Sequence, residues 1–187
     1  MREGAVLDLL RDSGALLTGH FLLSSGKHSP VYVEKARVFE RPPDVIRLGR
    51  AISGRFQGVE AVVSPAVGAL PLGFAVALEA GARFLYAERE GDRMDLRRGF
   101  RLGPAERTLV VEDVVTTGGS AAEVFSLVRD SGAEALGVAA MVDRSRGDLP
   151  FPLVSLARVE AEVFEPGACP LCDDGVPLQS PGSRHLA

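Results

Sequence analysis

The chain has 187 residues, enough for one domain with a small appendage. Hydrophobic residues make up 46% and charged residues 25%, the balance of an ordinary globular protein, and no apolar run approaches the roughly 20 residues that span a bilayer. A net charge of −4 leaves no global basic field for nucleic acid, although a local basic patch can still hold an anionic small molecule.

The N-terminus, Met1-Arg2-Glu3-Gly4, runs into an amphipathic pattern and not an apolar leader, so a cytoplasmic protein is expected. Val6, Leu7, Leu9 and Leu10 mark a first helix, ended at Gly14. Phe21-Leu22-Leu23 and Val31-Tyr32-Val33 read as two short strands around the polar turn Ser24 to Pro30, a small N-terminal layer apart from the central sheet. Pro42-Pro43-Asp44 opens a helix whose Val45, Leu48, Gly49, Ile52 and Phe56 share one face. Val59 to Val63 is a buried strand, Leu72 to Gly81 a helix, and Arg83 to Ala87 a second strand. Thr108 to Val111 is a third strand, followed by a helix from about Gly119 to Asp130 capped near Gly132. Leu136 to Val142 and Leu153 to Ala157 complete the strands.

Strands and helices alternate from about residue 45 to 145, and the strands are near-continuous apolar runs. That predicts an α/β fold: a central, mostly parallel sheet flanked by helices on both faces. Ligands in such sheets bind beyond the carboxyl ends of the strands. The chain is read as a single domain, with a hood mainly in 1–40, a core over about 41–160 and an irregular tail over 161–187. The tail holds Cys169-Pro170-Leu171-Cys172. Such a pair is half a zinc site, a redox pair or a plain tight turn. Two thiolates are too few to close a zinc site, so His185 or a second subunit would have to complete it.

The segment with most chemistry is Leu109 to Ser120, which reads LVVEDVVTTGGS. An apolar strand ends in Glu112 and Asp113; a turn rich in hydroxyls and glycines follows, then a helix. Backbone N–H groups and the dipole at a helix N-terminus favour an anion. Gly118 and Gly119 allow close backbone approach, and Thr116, Thr117 and Ser120 add hydroxyl donors. The two carboxylates, one residue apart, can accept bonds from ribose hydroxyls or help hold a hydrated Mg²⁺. An ordinary strand–turn–helix with Ser and Thr as caps is the plainer reading, but it leaves the two acids unexplained. The GxxxxGK[ST] pattern is absent.

This segment resembles the phosphoribosyl-pyrophosphate (PRPP) motif of type I phosphoribosyltransferases. The resemblance implies that Glu112 and Asp113 contact the ribose hydroxyls. It also implies that Thr116, Thr117, Gly118, Gly119 and Ser120, reached through Val114 and Val115, hold the 5′-phosphate. Three further segments resemble the orotate branch of that family. Phe21 to Tyr32 looks like its hood, over the pyrimidine. Val142-Asp143-Arg144 looks like its Asp-Arg pair, with the arginine on the orotate carboxylate, a task suited to a planar guanidinium. Ser64 to Pro71 looks like the turn that receives pyrophosphate. Thr116, Arg144, Tyr32 and Lys27 are then the candidate orotate contacts. The plainer alternatives are a solvated Arg144, a Tyr32 that only packs the hood, and solvated Lys27 and Lys35.

The chain departs from the family pattern in two places. Val67-Gly68 stands where many relatives carry a Tyr-Lys or similar pair, so only backbone can serve there. Residues 88–101, the family's mobile loop, hold five arginines against four acids and no lysine. Arg89 sits about where a PRPP-binding lysine is expected. Arg93, with Asp113, is the candidate catalytic residue, Arg97 and Arg98 being alternatives. A charge-balanced solvated hairpin is the competing reading of that loop.

The resemblance implies transfer of the phosphoribosyl group of PRPP to orotate with Mg²⁺, which is bound mainly through PRPP. No protein nucleophile is needed: loop arginines and the metal stabilise departing pyrophosphate while the closed loop excludes water. A homodimer is also implied, with no nucleic-acid or membrane partner. The rival readings are a purine or other phosphoribosyltransferase, a non-catalytic PRPP-binding regulator, and a stand-alone zinc module at Cys169 and Cys172.

Overall fold

The computed structural model describes residues 1–23 and 25–181, so His185 lies outside the described residues. Helix α1 (Glu3–Asp12), the strands β1 (Leu16–Leu22) and β2 (His28–Val33), and helices α2 (Ala36–Phe39) and α3 (Pro42–Ser53) come first. Then follow β3 (Ala61–Pro65), α4 (Leu70–Ala80), β4 (Arg83–Glu90), β5 (Arg93–Leu96), β6 (Arg107–Val115) and α5 (Gly119–Asp130). β7 (Glu134–Asp143), β8 (Leu153–Arg158), a 3₁₀ turn (Pro166–Ala168) and α6 (Pro170–Asp173) complete the order.

The central sheet has the order β5-β4-β3-β6-β7-β8, and every neighbouring pair is parallel except β4 with β5. This is the mostly parallel α/β sheet that the alternation of elements predicts. Successive residues of β6 serve opposite faces. Leu109 and Val111 join α1, α3 and α4 in one core, whereas Val110 joins α5 in the other. All of β3 is buried, as a strand covered on both faces must be. β1 and β2 form a separate antiparallel pair.

Four short elements escaped the sequence reading: α2, β5 and, in the tail read as irregular, the 3₁₀ turn and α6. α2 has four residues, too few to show a period. β5 alternates as a strand should, but only Met94 of its four residues is buried, so the surrounding charges mask the pattern. It closes an antiparallel hairpin with β4, so residues 88–101 carry ordered pairing from Ala87–Leu96 to Glu90–Arg93.

Among the five mutually parallel strands, the first in sequence, β3, lies between β4 and β6. Connections leave β3 in opposite directions on its two sides, which makes the β3–β6 boundary the switch point where open α/β sheets bind ligands. β3 and β6 pair only from Ala61–Thr108 to Val63–Val110 and then part. Glu112 and Asp113 lie just beyond the last pair.

The chain beyond β8 returns to the small sheet. His28 and Phe164 exchange backbone hydrogen bonds at 2.9 Å each way, and Leu22 and His20 pair with Gln179 at 2.8 Å. No described helix is long and apolar enough to cross a membrane.

Close approach of α3 to α4 depends on Gly49. A β-carbon there would lie 2.7 Å from both the carbonyl carbon and the Cβ of Ala75. Backbone cannot yield as a flexible side chain does. Gly49→Ala is therefore expected to lower stability by about 1–3 kcal/mol despite its better helix propensity. Urea denaturation measures this directly, and an unchanged or raised midpoint would show that the two helices separate at no cost.

Candidate active site

The phosphate turn is built by the end of β6 and the start of α5. Gly118 stands at the N-cap with φ of +75°, in the left-handed region. A side chain there would also meet Leu149 Cδ2 at 2.8 Å and Phe151 Cζ at 3.2 Å, so glycine is required twice over. No side chain caps α5, and among the described residues the hydroxyls of Thr116, Thr117 and Ser120 make no hydrogen bond within the protein. The capping role that a plain strand–turn–helix would give them is absent. What remains is a turn of unused N–H and O–H donors at a helix N-terminus, the arrangement an anion requires.

The acids differ in setting. Asp113 is buried, at 2% exposure, and its Oδ2 lies 2.5 Å from Lys35 Nζ. That contact is an ion pair without the alignment of a hydrogen bond, and Oδ2 has no other partner. Gly68, in the turn after β3, makes room for the pair: a β-carbon there would collide with Lys35 Nζ and stand 2.6 Å from Asp113 Oδ2. The turn after β3, the lysine after β2 and the acid on β6 thus converge at the parting of the strands. The Ala66–Val67 peptide in that turn is cis. Glu112 is recessed beside Asp113. Burial first, and the neighbouring Asp113 charge second, push its carboxyl up to about 8.

Arg144 follows the last residue of β7. Its N–H donates to the Val115 carbonyl at 2.8 Å, which sets it beside the phosphate turn. The guanidinium runs under β2, donating from Nη2 to Val31 O at 3.2 Å, with Ser29 Oγ at 3.5 Å. It is half-buried, and that burial, with Arg146 second, lowers its pKa. A freely solvated surface arginine does not describe it. Tyr32 lies on the same hood strand. Burial, then the Glu34 charge, raises its phenol, and Lys35, Arg144 and Asp113 all act on it electrostatically. It also packs on Phe21 at 5.7 Å between ring centroids. The preceding residue, Asp143, is engaged locally by Ser145 N at 2.7 Å and Arg158 Nη1 at 3.3 Å.

The remaining candidates stand apart from this cluster. Lys27 pairs with Glu165 of the returning chain at 2.6 Å, so it serves the hood–tail contact. In the β4–β5 hairpin, Arg89 pairs with Glu123 of α5 at 2.9 Å and Arg98 grips Glu88 through two bonds of 2.8 and 2.9 Å. Arg97 lies 3.8 Å from Glu90. Arg93 is exposed and has no ion pair among the described residues. The Lys35–Asp113 pair was not legible from spacing, because 78 positions of chain separate its members.

A parallel sheet with the acid pair and phosphate turn at its switch point, under a small antiparallel hood, defines a phosphoribosyltransferase of type I. The comparisons agree. No family model matches the chain. It is 45% identical over 190 residues to an orotate phosphoribosyltransferase of Caldanaerobacter subterraneus, covering 100% of both chains. It is 47% identical over 185 residues to one of Thermotoga maritima, covering 97% of this chain and 99% of the other. The crystal structure of orotate phosphoribosyltransferase from Aeropyrum pernix aligns with a TM-score of 0.70 at 29% identity, over 82% of this chain and 93% of that one. The chain belongs to the orotate phosphoribosyltransferase family.

The raised Glu112 carboxyl carries a pH signature. Below about pH 4.5 both folded and unfolded chains hold this proton; between there and about 8 only the unfolded chain releases it. Rising pH therefore weakens the free fold across that window and has no further effect through Glu112 above it. Glu112→Gln cannot ionise, so its stability relative to the parent should climb through the same window. Thermal melts at closely spaced pH values read the difference, and a flat one would mean that Glu112 is already ionised in the free protein.

Proposed function

We propose that the chain transfers the 5-phosphoribosyl group from PRPP to a ring nitrogen of orotate, releasing orotidine 5′-monophosphate and pyrophosphate, as a cytoplasmic step of pyrimidine nucleotide synthesis. The observation that carries this reading is the adjacency of two anion sites. The uncapped start of α5 offers donors for the 5′-phosphate, and Arg144, bonded to Val115, offers a half-buried guanidinium beside it. Family membership supports the choice of substrates.

In this reading Glu112 and Asp113 address the ribose hydroxyls. A Glu112 that keeps its proton removes one negative charge from a crevice that must admit a polyanion. Lys35 neutralises Asp113 in the free protein and can shift to pyrophosphate as the donor enters. The turn after β3 offers backbone donors to the same pyrophosphate. A hydrated Mg²⁺ fits beside the acid pair, whose Asp113 Oδ2 lacks an aligned hydrogen bond, and when bound it draws charge from the leaving pyrophosphate. Arg93 is the hairpin cation proposed to meet pyrophosphate, supported by its freedom from the ion pairs that occupy Arg89 and Arg98. Positioning and charge stabilisation then suffice, since orotate needs no protein nucleophile.

We also propose a homodimer. Phe74 and Leu78 lie four residues apart on α4 and are 57% and 58% exposed, and Val67 in the preceding turn is 77% exposed. A second copy of the chain is the occupant that family membership favours for this apolar face.

Pyrophosphate release with orotate, hypoxanthine, adenine and xanthine, with and without Mg²⁺, tests the activity. Release with orotate alone is expected, and release only with a purine would overturn the assignment. Arg144→Gln should lower kcat/KM for orotate on the order of 100-fold while leaving PRPP affinity nearly intact. Sedimentation at assay concentration should show a dimer, and F74E/L78E a monomer; a monomeric parent protein would remove the dimer.

A further inference from the structure

The returning chain places Cys169 and Cys172 against two histidines of the hood, residues that spacing did not connect with them. His20 lies on β1 and His28 opens β2. Their ring nitrogens face each other, Nε2 of His20 to Nδ1 of His28, at 2.9 Å. Cys169 Sγ is 3.5 Å from His20 Nε2; Cys172 Sγ is 3.7 Å from that atom and 3.3 Å from His28 Nδ1. All four potential ligand atoms lie within 4.8 Å of one another. Around a tetrahedral zinc ion, bonds of about 2.0 Å to nitrogen and 2.3 Å to sulfur put ligand atoms about 3.3–3.8 Å apart. Reaching that spacing means opening the His20–His28 contact from 2.9 Å and closing the widest separation from 4.8 Å.

Two further features point to a metal. His20 Nδ1 is 2.7 Å from the Val176 carbonyl, which can only accept, so Nδ1 carries the proton and Nε2 turns its lone pair into the cluster. Metal-bound histidines are oriented by this kind of outer bond. Three of the four residues are buried, His20 and Cys169 at 1% and His28 at 5% exposure, with Cys172 at the exposed edge, and both cysteines are free thiols. Two imidazoles and two thiols with converging donor atoms, three of the four residues buried, are poorly satisfied by hydrogen bonds alone, since sulfur is a weak partner.

We infer that His20, His28, Cys169 and Cys172 form a structural Zn²⁺ site that fastens the C-terminal segment to the hood. Mixed nitrogen and sulfur donors in tetrahedral array select zinc over Mg²⁺ or Ca²⁺. Four protein ligands close the coordination shell and leave no position for a reacting water, so the ion is structural. In this reading the hood supplies both ligands that the pair of thiolates lacks, in place of His185 or a second subunit. The ion joins residues far apart in sequence, the case in which a cross-link restricts the unfolded chain most. β2 also carries Ser29, Val31 and Tyr32 over Arg144, so the clip steadies the strand that covers the proposed base site.

The test uses the full chain without a histidine tag, expressed with added zinc and purified without chelator. Elemental analysis should find about one zinc per chain, retained through gel filtration. Cys172→Ser removes the exposed ligand and should release zinc at a chelator concentration at least about tenfold below that needed by the parent. Cobalt substitution reads the donors in the unmutated protein, with intense visible bands and near-ultraviolet thiolate charge transfer expected for tetrahedral coordination. Zinc below about a tenth of an equivalent, whatever the state of the thiols, or a weak six-coordinate cobalt spectrum, overturns the site. Neither readout requires turnover, so it stands or falls separately from the choice of base.

Discussion

The parting of β3 from β6 after the Val63–Val110 pair is the constraint on which the rest of the structure depends. While the strands pair, their backbones satisfy each other and their side chains fill two cores. Where they separate, polar groups must find other partners. Asp113 finds Lys35, the turn after β3 folds close enough that Gly68 must lack a side chain, and β6 ends in a helix start with unused donors. The site is therefore the place where the sheet stops satisfying itself. In the proposed function an anionic sugar supplies what the protein leaves unmet.

Burial and charge divide the work among similar residues. Of two adjacent acids at one strand end, Asp113 has Lys35 beside it, whereas burial first and the Asp113 charge second raise the Glu112 carboxyl. The arginines divide in the same way. Those of the hairpin are exposed, and three of them lie beside glutamates, which suits surface pairs of small energetic worth. Arg144 is half-buried and makes no ion pair among the described residues; it donates to the hood backbone. A desolvated guanidinium of this kind gains most from an incoming carboxylate.

The hood is held by two sets of contacts. Arg144 ties β2 to the core, and the segment after β8 pairs with β1 and β2 through backbone bonds at Gln179 and Phe164. A two-stranded antiparallel pair is marginal by itself in water. The His20–His28–Cys169–Cys172 cluster stands where added cross-linking would help it most, and Lys27 reinforces the same contact through Glu165.

The sequence by itself determined the alternation of apolar strands and amphipathic helices, and hence the mostly parallel sheet. It also marked the strand–turn–helix proposed to take the phosphate, because a strand end, paired acids, hydroxyls and glycines are all local and contiguous from Leu109 to Ser120. Local periodicity and turn chemistry depend on near neighbours, so they are written along the chain. What only the tertiary structure decided are contacts between distant segments: Lys35 with Asp113, Arg144 beneath β2, Lys27 with Glu165, and two histidines beside two cysteines. Burial raised the Glu112 carboxyl, and the placing of the β4–β5 hairpin against α5 decided which arginines are paired. These depend on how the chain returns on itself, which no short window of residues contains.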